Sequence, residues 1–103
     1  MASDPEKTQG RVTERRYIEL PEGHRTTLIV GMADMLNSLS KYFDQKTLKA
    51  FQPILEYEGR FESSELRERF DEFLKENPSS TTAVASSFLG MLIAQSRASE
   101  LLS

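Results

Sequence analysis

Arg11, Arg15 and Arg16 are followed closely by His24 and Arg25, with Tyr17 between them, and this is the basic concentration of the chain. Guanidinium groups beside an aromatic ring can hold phosphates and stack on a base, so Arg11, Arg15, Arg16, Tyr17, His24 and Arg25 are the candidate contacts to nucleic acid. Glu14, Glu19 and Glu22 nearly cancel that charge. The chain as a whole carries a net charge of -3, which gives no general attraction to RNA, DNA or an anionic membrane. Neither candidate recognition helix carries a row of Arg, Lys, Asn or Gln, so sequence-specific DNA reading has no support. The plainer reading of the cluster is a solvated tail, with His24 a surface residue in a turn.

Other chemistry lacks its residues. There is no cysteine and only one histidine, which excludes disulfides, thiolate nucleophiles and a typical zinc site. The five glycines stand singly, so neither phosphate-loop pattern is formed, and the calcium-loop and H-E-x-x-H patterns are missing as well. No G-x-S-x-G elbow surrounds any serine. Glu56, Glu58, Glu62, Glu65, Glu68, Asp71, Glu72 and Glu76 read as a solvated acidic face, and Asp34, in an otherwise apolar segment, is the carboxylate that stands out. The expectation is a protein that is not an enzyme and takes no cofactor, metal or small-molecule substrate.

With 103 residues the chain is one domain, with room for a single core. Residues 1–16 are charged, with Pro5, Gly10 and little apolar surface, and are expected to be a mobile tail; residues 17–103 make the domain. Tyr17 to Leu20 is a short extended candidate, and Leu20-Pro21-Glu22-Gly23 suits a turn. Leu28, Met32, Met35, Leu39 and Tyr42 recur at steps of four and three, with Ile29, Leu36 and Phe43 one residue over, which predicts a helix over 26–43 with a wide apolar face. The β-branched run Thr26 to Val30 supports an alternative, a β-hairpin over 15–30 followed by three helices.

Asp44 is placed to cap the next helix, which contains Pro53 and is expected to kink or break near Gln52 before Gly59 ends it. Ser63 or Ser64 caps a third helix with Leu66, Phe70, Phe73 and Leu74 as its buried stripe, and its outer face offers Glu65 with Arg69 and Asp71 with Lys75 at spacing four. Asn77-Pro78 stops it. The fold class is therefore all-α, a small four-helix bundle-like domain with a mobile N-terminal arm.

The last helix, over 83–102, holds seven consecutive apolar residues from Phe88 to Ala94. A helix apolar on nearly all sides has to be covered. Its large residues face the other helices, while Ala83, Ser87, Gly90 and Ala94 form a row of small residues that admits a close neighbour, either helix 26–43 at Gly31 or a second copy of the chain. The expected function is a cytoplasmic protein–protein interaction module, self-associating as a homodimer or docking on a larger partner. Its interface would be Ala83, Ser87, Phe88, Leu89, Gly90, Met91, Leu92, Ile93 and Ala94. Two alternatives are a small subunit of a ribonucleoprotein that touches nucleic acid through its arginine arm, and a viral inhibitor that occupies a host protein. The apolar run is far short of the ~20 residues that cross a bilayer, so no membrane span is expected.

Overall fold

The computed structural model describes residues 12–78 and 81–102 of the chain, which form five helices: α1 (Glu14–Glu19), α2 (Glu22–Ser40), α3 (Gln45–Glu58), α4 (Ser63–Glu76) and α5 (Val84–Leu102). The domain is all-α. α2 packs on α3 and α4, α5 packs on the same two helices, and α1 lies against α5. Helices α2 and α5 are thus diagonal neighbours in a four-helix arrangement, with α1 added at one end.

Local signals set most of the boundaries. The Asp44 carboxylate accepts a hydrogen bond from the Thr47 N–H at 2.7 Å and starts α3, which ends at Gly59. α3 runs through Pro53 without the expected break at Gln52. The cap of α4 is Glu62 rather than Ser63 or Ser64: the Glu65 carboxylate turns back to accept the Glu62 N–H at 3.3 Å, closing a capping box. Asn77 ends α4 before Pro78.

The N-terminal part departs from expectation. Tyr17 to Glu19 is helical rather than extended, α2 begins at Glu22 directly after Pro21, and His24 and Thr26 to Val30 lie inside α2. Val12 to Arg16, assigned from sequence to the mobile tail, packs against the start of α5. The Val12 carbonyl accepts the Val84 N–H at 2.7 Å, Glu14 N–H donates to the Thr82 carbonyl at 3.0 Å, Thr13 forms a β-bridge with Ala83, and Ser87 Oγ donates to the buried Glu14 carboxylate. Helix starts leave backbone N–H groups without an internal partner, and a carboxylate is favoured there by the helix dipole. The segment therefore caps α5.

The core comprises Tyr17, Ile29, Ile54, Tyr57, Leu66, Phe70, Leu74, Val84, Phe88, Met91 and Leu92. Phe70 sits at its centre, edge-on to Tyr17 at 5.1 Å and to Phe88 at 5.6 Å between ring centroids. A network of ion pairs centred on a buried arginine borders this core. Arg67 is 6% exposed and donates to Asp71 at 2.9 Å and to Glu22 at 2.8 Å. Asp71 also accepts from the Tyr17 hydroxyl at 2.8 Å and stands 3.5 Å from Arg25, whose other nitrogen donates to the Leu20 carbonyl at 2.6 Å. The outer-face pairs expected at spacing four do not form: Asp71 belongs to this network, and Lys75 pairs with Glu72 at 3.8 Å. Burial disfavours the Arg67 charge, but the Asp71 hydrogen bond and the charges of Glu22, Asp71 and Glu68 outweigh it and hold the guanidinium protonated. Burial and the bond to Asp71 push the Tyr17 hydroxyl well above its usual range, so it remains a donor.

Removing one member of such a pair leaves the other desolvated, which costs about 3–5 kcal/mol when burial is complete. Asp71 keeps Tyr17 and Arg25, so Arg67→Met is expected to lower unfolding stability by about 3 kcal/mol, read as the shift of a urea midpoint at constant slope. Tyr17→Phe, which keeps the packing on Phe70 and loses one bond to a charged acceptor, is expected to cost about 1.5–3 kcal/mol.

Candidate interaction surface

The residues of α5 that sequence reasoning assigned to an interface are largely used inside the chain. Phe88, Met91 and Leu92 are buried, and Leu89 and Ile93 are half-buried. The row of small residues is divided. Ala83 and Ser87 are taken by the Val12–Glu14 segment, Gly90 is half-buried, and Ala94 is exposed. The crossing of α2 over α5 at Gly31 and Gly90 is not made, because a Cβ placed on either glycine would meet nothing within 4 Å.

The basic cluster is not gathered into one site either. Arg11 lies outside the described residues. Arg15, Arg16 and His24 are exposed, Arg25 is held by Asp71 and the Leu20 carbonyl, and the Tyr17 ring is buried and cannot stack on a base.

Ile18 on α1 and Leu101 on α5 are exposed singly, and the exposed large apolar residues that gather in a row lie along α2 and the turn after it. Periodicity joined Leu28, Met32, Met35, Leu39 and Tyr42 in one row and Ile29 and Leu36 in the next. The structure buries the second row. Ile29 is fully buried and Leu36 half-buried on the core, whereas Met35 is 61%, Leu39 48% and Tyr42 87% exposed. Leu28 and Met32 are half-buried at the edge. Gly31 and Ser38 beside the row are exposed, and Asp34 and Lys41 follow on the same flank, two turns apart. Neither Asp34 nor Lys41 has an ion pair among the described residues. The sequence signal was the width of the apolar face, which exceeds what one helix can turn inward.

On another side of α2, Asn37 donates to the buried Glu58 carboxylate at 3.0 Å. Its sequence neighbours place Glu58 on a solvated acidic face, but in the structure it is buried and closes the end of α3 against α2. Burial raises its pKa, the Asn37 hydrogen bond lowers it, and the Asp34 charge raises it, with burial prevailing. Above the ordinary carboxyl pKa of 4.5 and below the raised folded value, the folded chain holds more protons than the unfolded chain, so stability falls as pH rises through that window. Glu58→Gln is expected to remove that decline and to raise the neutral-pH unfolding temperature slightly, as seen by circular dichroism melts at several pH values. A lower neutral-pH melting temperature in the variant would contradict this.

No helix among the described residues is long and apolar enough to cross a membrane. Comparison of the chain with protein-family models, with curated proteins and with solved structures finds no match to any of them.

Proposed function

We propose that the chain is a small non-catalytic interaction module that self-associates through α2, with a second copy of itself as the partner on the Met35, Leu39 and Tyr42 row. The observation that carries this reading is an apolar row left exposed at the C-terminal end of α2, with Met35 and Leu39 on the helix and Tyr42 in the turn that follows it, while the adjacent row already serves the core. Apolar surface gathered in one stripe favours burial against another surface, at roughly 25 cal/mol per Å².

The flank of the row supports a second copy in antiparallel orientation. A two-fold axis perpendicular to α2 brings the same flank of both helices together with opposite direction. Asp34 of one copy then stands against Lys41 of the other, and the reverse pair forms at the other end. Both residues are exposed on this flank and have no ion pair among the described residues. Gly31 and Ser38 keep the flank low, and the self-complementary pattern suits the isologous contact of a two-fold dimer. Three exposed side chains with Leu28 and Met32 at the edge make a small interface, which places the expected dissociation constant in the micromolar range.

Sedimentation of the purified chain over low to high micromolar concentration is expected to show mass rising from monomer to dimer. Met35→Glu with Leu39→Glu should hold it monomeric. Asp34→Lys should weaken the dimer, and adding Lys41→Asp should restore it. A strictly monomeric chain at high micromolar concentration, or a dimer that survives the α2 changes but is lost with Gly90→Leu, would overturn the assignment to α2.

A further inference from the structure

A cleft of about 550 Å³ lies between the turn that joins α3 to α4 and the C-terminal half of α5, lined by Tyr57, Arg60, Phe61, Arg69, Gln95 and Ser99 among others. It is a shallow depression, largely open to solvent. The two arginines are held by their surroundings. The Arg69 guanidinium lies 4.3 Å from the centroid of the Phe61 ring, and the Arg60 guanidinium lies 5.8 Å from that of Tyr57 and donates to Ser99 Oγ at 3.0 Å. Cation–π contact of this kind restrains a long side chain that would otherwise sample many rotamers. Phe61 is itself fixed edge-on against Tyr57 at 5.1 Å.

The polar groups of the cleft are donors left over after internal bonding. The Tyr57 hydroxyl donates to the Gln95 carbonyl oxygen at 2.9 Å, which occupies the acceptor of that amide and leaves its NH₂ group. Ser99 Oγ accepts from Arg60 and keeps its own O–H. Glu65, four residues before Arg69 and able to pair with it, is instead turned to the Glu62 N–H in the capping box. Among the described residues no carboxylate lies within ion-pair distance of Arg60 or Arg69. The chain has 16 carboxylates to 13 lysines and arginines, so two neighbouring guanidiniums without one are not explained by a shortage of acids. A shallow, open site that offers two exposed guanidiniums with amide and hydroxyl donors beside aromatic rings matches an oxyanion carried on an apolar or planar body.

We propose that this cleft binds the phosphoryl group of a small phosphate monoester. Arg60 and Arg69 contact its oxygens, Ser99 and Gln95 supply further donors, and the outer faces of the stacked guanidiniums and the Phe61 edge receive the body of the ligand.

The test is a titration of the isotope-labelled full chain at low salt, followed by amide and arginine side-chain resonances, with adenosine monophosphate, inorganic phosphate and a short single-stranded RNA as separate probes. The proposal expects saturable shifts confined to the cleft with the monophosphate or with phosphate. It also expects affinity at least about tenfold weaker in Arg60→Gln/Arg69→Gln, with the amide spectrum outside the cleft unchanged so that the variant is known to be folded. Tighter binding of the monophosphate than of phosphate identifies the organic monoester as the ligand, and equal binding identifies the free anion. Unsaturable or dispersed shifts would overturn the site, as would full affinity in Arg60→Gln/Arg69→Gln. RNA binding centred outside the cleft with no response to the monophosphate would also overturn it, in favour of a nucleic-acid surface.

Discussion

A guanidinium sealed among Leu66, Phe70 and Leu74 on the inner side of α4 is the constraint to which the N-terminal half of the molecule conforms. Arg67 cannot remain there without oxygen partners, because desolvation of an isolated charge costs several kcal/mol. The partners come from its own helix, as Asp71, and from α2, as Glu22. Asp71 in turn draws the Tyr17 hydroxyl from α1 and Arg25 from α2. A buried pair of this kind adds little net stability over apolar packing. Its physical consequence here is that α1 and α2 have one way to sit on α4.

That orientation decides which apolar surface of α2 is left outside. Glu22, Arg25, Ile29 and Leu36 fall on one face of the helix, so turning Glu22 toward Arg67 and Arg25 toward Asp71 turns Ile29 and Leu36 into the core. The row through Met35, Leu39 and Tyr42 is displaced from that face by roughly one residue's rotation and emerges into solvent. The exposed row and the buried ion pair are thus two consequences of one helix rotation.

The parts of the fold readable in the sequence are those governed by local chemistry. The Asp44 cap, the stops at Gly59 and at Asn77-Pro78, and the stripe Leu66, Phe70, Phe73 and Leu74 depend on neighbours within a few residues, and the structure shows them. What was hidden depends on distant residues. α1 has six residues and contains Tyr17 and Ile18, so propensity alone does not support it; the contacts of Tyr17 with Asp71 and Phe70 do. Arg67 looks in sequence like any charged residue on an outer face, and Asp71 at spacing four fits Lys75 as well as it fits Arg67. In α2 the period identified both apolar rows but could not say which one the bundle would use. In the cleft, Arg69 is freed by a cap bond of Glu65, an alternative that spacing rules do not resolve.

α5 raised the sharpest demand for cover, and that demand is answered within the chain. Val84, Phe88, Met91 and Leu92 enter the core with Ile93 packed against it, Leu101 at the far end stays exposed, and Ala83 and Ser87 are closed by Val12, Thr13 and Glu14, residues that composition alone places in a tail. A segment poor in apolar side chains does this because its backbone and one carboxylate satisfy the donors at the start of α5, which a hydrophobic count does not register. Cover for α5 therefore makes no call on a second molecule at its first turn. The exposed apolar row lies instead along α2 and the turn after it, on the helix that the N-terminal segment does not cap and the buried arginine has already oriented.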